Sequence, residues 1–436
     1  MSNSIARASC IGSEEVIERE AYAKVTRRLI PLLFFSYVVA FLDRVNVGFA
    51  KLQMLSDLGF SEATYGLGAG IFFLGYVLFE VPSNMIQHRI GARRWISRIM
   101  ITWGFLSAAM MFVKTPTELY VLRFVLGIAE AGFLPGVVLY LTYWYPAHRR
   151  GKIMALLFSA VPASGLVGGP VSGWILESLS GVQGFAGWQW LFVLEALPAI
   201  VLGTAILLLL PDGIGHASWL LPQEKDVLAA NIRLDTHGKH EIQLRKIFTD
   251  RRVVVLAAIY FCATTGGYGI SFWLPSIVKA TGVASPLSIG LLTAIPFLSA
   301  IVSMMLLSRS SDARRERKLH LLGTMSIGVV GLLLSVYSSS STLGSIAALS
   351  IAAIGVYSAF PIFWSFPTAF LTGVGAAAAI ALITSVGNIG GFISSYLIGW
   401  IKQISGSTDL AILALGAIYL VGGLLTLTIP ARLVNK

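Results

Sequence analysis

Residues 29–50 read LIPLLFFSYVVAFLDRVNVGFA. As an α-helix this stretch crosses the roughly 30 Å hydrocarbon core of a bilayer, and its charges are the adjacent Asp43 and Arg44. A charge at that depth costs about 2.5–3.5 kcal/mol even on insertion scales, so such residues face protein or water and mark the path of an ion or substrate. Working outward, apolar runs of similar length fall near 67–88, 95–113, 117–143, 152–176, 188–210, 253–279, 286–308, 319–337, 343–368, 376–401 and 410–431. The expectation is an all-α integral membrane protein of twelve transmembrane helices. Composition agrees, because 56% hydrophobic and 12% charged residues with a mean hydropathy of +0.78 lie outside the soluble range.

Basic residues orient the chain. Arg19, Lys24, Arg27 and Arg28 precede the first run, and alternate loops carry Arg89, Arg93, Arg94 and Arg98, then Arg149, Arg150 and Lys152. The opposite loops hold Lys51, Lys114, Lys279 and Lys402. The positive-inside rule then puts both termini in the cytoplasm. The formal charge of +11 reflects that topology, and no nucleic-acid partner is expected. The acidic start (Glu14, Glu15, Glu18, Glu20) lacks the pattern of a cleaved secretory signal. Cys10 and Cys262 are too far apart in this topology to pair, and all six histidines fall in loops. Neither a metal nor another cofactor is expected. No P-loop and no nucleophile–base pair stands out, so no catalytic residues are assigned; Gly66-Leu67-Gly68-Ala69-Gly70 lacks the strand that a dinucleotide site needs.

A polar segment over 211–252 divides the chain. The expected units are a tail over 1–28, a six-helix bundle over 29–210, the central loop over 211–252, a second six-helix bundle over 253–431 and a tail over 432–436. Gly165, Gly168, Gly169, Pro170 and Gly173 in the fifth run are echoed by Gly387, Gly390, Gly391 and Gly399 in the eleventh. Small residues at such spacing let helices pack backbone to backbone, and the recurrence points to two repeats around a central cavity.

Away from the ends of the runs, the charged residues are Asp43, Arg44, Glu80, Arg123, Glu130 and Glu195, all in the first half. Asp43 and Arg44 are neighbours, so on a helix they point about 100° apart and need different partners. Arg123 and Glu130 are seven apart and share one helix face, separated by roughly 10 Å of rise. Two cations face four carboxylates, a net of −2 if every acid were ionised. A bilayer interior disfavours that charge, so protons are expected to bind here.

These residues resemble the major facilitator superfamily. Ser308-Arg309-Ser310-Ser311-Asp312-Ala313-Arg314-Arg315 looks like its loop motif of an acid followed by basic residues. The counterpart after the second run, Pro82-Ser83-Asn84 through Arg89-Ile90-Gly91-Ala92-Arg93-Arg94-Trp95, has Asn84 where the motif usually has Asp. That departure, Phe41-Leu42-Asp43-Arg44-Val45-Asn46, and Arg123 followed by Glu130 are similar to the anion:cation symporter branch. Gly68-Ala69-Gly70-Ile71-Phe72-Phe73 through Phe79-Glu80 looks most like bacterial tartrate and related hydroxy-acid carriers.

The resemblance implies that the first and fourth helices line a cavity, gathering Asp43, Arg44, Arg123 and Glu130 around one pocket. Guanidinium groups bind carboxylates bidentately, which makes Arg44, with Arg123 as helper, the expected anion anchor. Asp43 and Glu130 are the expected proton-coupling acids. Glu80 is expected to pair with loop cations, and Glu195 to be structural. The second half offers Tyr268, Ser271, Trp273, Tyr357, Ser358, Trp364, Ser365, Ser385 and Asn388. Of these, Asn388 and Ser365 are the preferred partners for substrate hydroxyls, with Trp364, Tyr357 and Tyr76 of the first half as further contacts for which packing is the competing reading.

The implied function is import of a small organic acid anion, tartrate or a related hydroxy or sugar acid, by proton symport with alternating access. The implied setting is a monomer in the lipid bilayer of a bacterial inner membrane. The alternatives are an aromatic-acid symporter for phthalate or hydroxyphenylacetate, a proton/drug antiporter suggested by Gly169-Pro170, and a sugar-phosphate exchanger.

Overall fold

A computed structural model of the chain describes residues 2–236, 250–370 and 373–435. Among them are twelve helices long and apolar enough to cross a membrane. The first six are Glu15–Leu58, Glu62–Ile90, Ala92–Phe112, Pro116–Thr142, Arg149–Ser178 and Gly187–Leu209. The second six are Arg251–Ala280, Pro286–Arg314, Lys318–Tyr337, Thr342–Pro367, Ala379–Ser405 and Asp409–Leu427. The fold is the expected twelve-helix membrane bundle, and the protein is a multi-pass membrane protein.

Local chemistry sets the starts of several spans. Ser61 Oγ accepts from Thr64 N–H at 3.0 Å ahead of the second span. Thr115 and Glu118 form a capping box ahead of the fourth, with Pro116 in its first turn. Ser285 caps the eighth in front of Pro286.

The first helix begins far earlier than residue 29, running continuously over Ser2–Val45. The reason lies in a pattern that a hydrophobicity window averages away. Ala21, Tyr22, Val25 and Leu29 recur at helical spacing and are buried, and this stripe packs against the helix Pro222–Thr236 of the central loop. Lys24 Nζ bonds Glu224 Oε1 across that contact at 2.6 Å.

Two spans are interrupted at membrane depth. The first passes from Ser2–Val45 to Val47–Leu58 at Asn46, and the fourth from Pro116–Glu130 to Phe133–Thr142 at Ala131 and Gly132. Such breaks are tolerated only where the freed backbone is covered by protein or faces a cavity.

The two glycine-rich spans form the seams between the halves. The fifth packs on the eighth so closely that a methyl group on Gly290 would come within 2.2 Å of the Gly169 carbonyl oxygen. The eleventh packs on the second, where a methyl on Gly66 would meet the Ser395 carbonyl oxygen at 2.7 Å. Both seams lie toward the end of the bundle opposite the chain termini, hereafter the far end. There Lys51 Nζ bonds Glu62 Oε2 at 2.6 Å, and Lys402 Nζ of the other half bonds Glu62 Oε1 at 2.7 Å. The Lys51 ammonium lies 3.6 Å from the Trp273 ring centroid, Tyr65 OH donates to the Phe272 carbonyl at 3.1 Å, and Lys279 Nζ donates to the Leu52 carbonyl at 2.9 Å. The far end is sealed.

Candidate functional site

Arg44 stands in the last turn of the helix Ser2–Val45, just before the break. It is 6% exposed. Its Cζ lies 5.2, 5.2 and 5.1 Å from the ring centroids of Phe41, Phe72 and Tyr76. An aromatic box of this kind favours a cation by about 0.5–2 kcal/mol and confines the fork to one direction. Nη2 is paired with Glu130, and Nη1 donates to Tyr268 OH of the other half at 2.8 Å. Tyr268 closes the box, with its ring 4.6 Å from Phe73 and stacked on Phe41 at 6.0 Å.

Glu130 is the last residue of the helix Pro116–Glu130 and is buried. A carboxylate at a helix C-terminus opposes the helix dipole, so its charge depends on Arg44. Removing one partner of such a buried pair typically costs about 3–5 kcal/mol. Each charge of the pair therefore needs the other to be tolerated at this depth.

The other expected site residues are placed differently. Arg123 is completely buried and does not join Arg44 as a second fork. Its Nε donates to the Gly68 carbonyl at 3.3 Å and its Nη2 to the Ala69 carbonyl at 3.4 Å, fastening the fourth span to the second. It still lies 5.0 Å from the Phe72 ring centroid, behind the box. Asp43, turned away from Arg44 as neighbours on a helix must be, accepts from Ser107 of the third span and from Asn46 Nδ2, the latter at 3.1 Å. The single pocket expected for Asp43, Arg44, Arg123 and Glu130 is thus divided into an Arg44–Glu130 cluster and a separate Asp43 cluster.

Among the described residues Glu80 pairs with no loop cation. It lies four residues beyond Tyr76, on the same helix face, and so points at the second half. There Ser385 Oγ donates to its Oε2 at 3.4 Å, and Asn388 and Thr384 lie close to it. Asn388 is half-buried at this point of contact. Ser365 is half-buried too, its Oγ donating to the Ile362 carbonyl at 2.6 Å. Trp364 stacks on Phe158 of the first half at 6.0 Å and meets Tyr260 edge-on at 5.1 Å. Tyr357 is buried within the second half, its OH hydrogen-bonded to Ser271 at 2.8 Å, and is not brought to Arg44. Tyr76 is.

The partner that sequence reasoning undervalued is Tyr268. Its signal was a tyrosine inside Gly266-Gly267-Tyr268-Gly269, a stretch whose small residues let the neighbouring helices approach and leave one large polar ring to fill the space. Among the described residues no group of His, Cys, Asp and Glu could hold a metal ion. The side chains of Cys10, Glu14, His148 and Lys152, and the whole of His237, His240, Arg245 and Lys246, lie outside the described residues.

Comparison with known proteins adds to this geometry. The chain is 46% identical over 417 residues to the "Putative metabolite transport protein NicT" of Pseudomonas putida, covering 95% of each chain. It is 43% identical over 416 residues to a "Putative tartrate transporter" of Agrobacterium vitis, covering 94% of this chain and 90% of that one. It is also 40% identical over 420 residues to a "Quinolone resistance transporter" of Acinetobacter baumannii, covering 95% and 96%. The fold matches a crystal structure of a D-xylose–proton symporter at a TM-score of 0.72 and 17% identity, over 93% of this chain and 98% of that one. Residues 33–395 match the family model of the Major Facilitator Superfamily. With that match and a twelve-span fold built around a buried ion pair, the chain belongs to the Major Facilitator Superfamily, and it is a transporter rather than an enzyme.

Proposed function

We propose that the protein imports a small organic acid anion by proton symport, with tartrate or a related hydroxy or sugar acid as substrate. The observation that carries this reading is the Arg44–Glu130 pair held in an aromatic box beneath Tyr268 of the opposite half. Glu130 occupies the place a substrate carboxylate would take. A proton on Glu130 releases the guanidinium fork, a substrate carboxylate replaces it, and Tyr268 ties the occupied site to the second half. The bundles over 29–210 and 253–431 then move about this site as alternating access requires.

Asn388, Ser385 and Glu80 supply the hydrogen-bonding groups that a hydroxy acid needs, with Ser365, Trp364 and Tyr76 as further contacts. Arg123 positions the second span and tunes the field at Phe72. Carriage of a dianion into an inside-negative cell opposes about 2.3 kcal/mol per net charge per 100 mV. Two protons per dianion restore electroneutrality, and Glu130 and Asp43 are the sites for them. The setting is the bacterial inner membrane, with cytoplasmic termini and a monomeric carrier.

Proteoliposomes given an inward proton gradient test this directly. Tartrate or a related acid should accumulate, and a protonophore should abolish accumulation. A second reading, proton-driven drug export, has the similarity to the quinolone resistance transporter in its favour. It predicts quinolone movement against the proton flux and no accumulation of organic acids in the same vesicles.

A further inference from the structure

Behind the Arg44 box, toward the third, fifth and sixth spans, lies a second buried polar cluster that anion binding does not use. Glu195 of the sixth span is 3% exposed and Asn46 is 1% exposed. Glu195 Oε1 accepts from Ser172 Oγ of the fifth span at 2.6 Å. Asn46 Nδ2 donates to Asp43 Oδ1 at 3.1 Å, and Ser107 of the third span donates to the same oxygen. Asn46 also interacts with Glu195, so it stands between the two acids.

Two oxygen atoms in this cluster, Glu195 Oε2 and Asn46 Oδ1, are buried and have no donor among the described residues. Both are acceptors, and a buried acceptor without a donor is disfavoured. One proton resolves both, carried on Glu195 Oε2 and donated to Asn46 Oδ1, while the amide nitrogen of Asn46 keeps its bond to Asp43.

The charges nearby point the same way. The first span contributes Asp43 and Arg44, the fourth contributes Arg123 and Glu130, and the sixth contributes Glu195; the third and fifth face the cluster with Ser107 and Ser172. Arg44 and Glu130 compensate each other. Arg123 is the remaining cation, and it acts on Asp43; the groups that act on Glu195 are Ser172, Asn46 and the like charge of Asp43, so an ionised Glu195 would have no countercharge among the described residues.

We propose that Asp43, Asn46 and Glu195 form a second proton site, in which Glu195 holds the proton and Asn46 relays its state to Asp43. This extends the proton coupling proposed above to an acid that sequence reading expected to be structural. Asn46 is also the break in the first span, between the segment bearing Arg44 and the segment whose Gly48 packs on the Phe272 backbone at the far-end seal. The proton is therefore held at the joint connecting the anion site to the seal.

Infrared difference spectroscopy of the purified full-length protein in lipid nanodiscs at neutral pH tests this without substrate. The expected result is a protonated-carboxyl C=O band that is lost in Glu195→Gln and retained in Glu130→Gln. A band unchanged in Glu195→Gln, or no such band in the wild type, overturns the proposal. Glu195→Gln keeps a donor in place of the O–H and is expected to fold. Should it not, Asn46→Ala gives the second readout: the band should move to higher frequency as its hydrogen bond is lost, and an unmoved band overturns the assignment. Absence of proton-driven uptake by wild-type vesicles would refute symport while leaving this spectroscopic result intact, so the two readings fail separately.

Discussion

Arg44 carries the heaviest demand on any one side chain. Its fork meets an acid of its own half, a phenol of the other half and three ring faces. A lysine keeps the charge and loses the planar two-pronged geometry. Arg44→Lys should therefore insert and purify normally yet show no binding of organic acids in a ligand-induced thermal-shift assay; wild-type shifts would make Arg44 merely an electrostatic attractor. Tyr268→Phe removes one hydroxyl from a buried guanidinium, worth about 1–3 kcal/mol. Calorimetric titration should find affinity lower by roughly 5- to 150-fold, and unchanged affinity would release Tyr268 from the site. The divergence of Asp43 from Arg44 was legible from helix periodicity alone. Tyr268 was not singled out, because it reaches Arg44 from 224 positions away, and no local pattern encodes which half of a bundle will face which.

At the scale of helices, run lengths reveal the number of spans, but their ends depend on contacts that hydropathy does not register. The N-terminal helix extends because Ala21, Tyr22, Val25 and Leu29 find a partner in the helix Pro222–Thr236. Glu224 anchors that contact. Burial alone would push its carboxyl up, but the Lys24 ammonium at 2.6 Å and the Leu221 N–H at 2.9 Å outweigh burial and hold it below the usual carboxylate range. A carboxyl depressed on folding contributes stability that is complete above its unfolded value and is lost as pH falls through its folded value. Wild type should thus lose thermal stability on acidification through the carboxylate range more steeply than Glu224→Gln. Parallel acid limbs in the two melting curves would remove Glu224 from the docking of this helix. The break at Ala131–Gly132 has a consequence of its own, since it leaves Glu130 at a helix end where its charge needs Arg44.

Across the whole molecule, the two halves are sealed at the far end and meet the candidate site at its centre. The class of fold and the close helix packing at the glycines of the fifth and eleventh spans were readable in the sequence, because each rests on a repeated local pattern. Which end would be shut was not, because Lys51, Glu62 and Lys402 come together only through the docking of the halves. Glu62→Gln leaves the buried Lys51 without its countercharge, a loss of about 3–5 kcal/mol from the sealed state. In a Cys10→Ser, Cys262→Ser background, Ser395→Cys should react faster with an impermeant thiol reagent when Glu62→Gln is added. Equal rates would mean that helix packing alone holds the far end closed.

The central claim is that Glu130 and a substrate carboxylate take turns on Arg44, with a proton deciding between them. Transport by Glu130→Gln in proteoliposomes tests it most directly, because the amide imitates an acid that is permanently protonated. Accumulation driven by an inward proton gradient should be lost, while exchange of internal for external substrate, which does not require the empty carrier to release a proton and return, should persist. Accumulation against a gradient at the wild-type level, with an unchanged pH profile, would contradict the account.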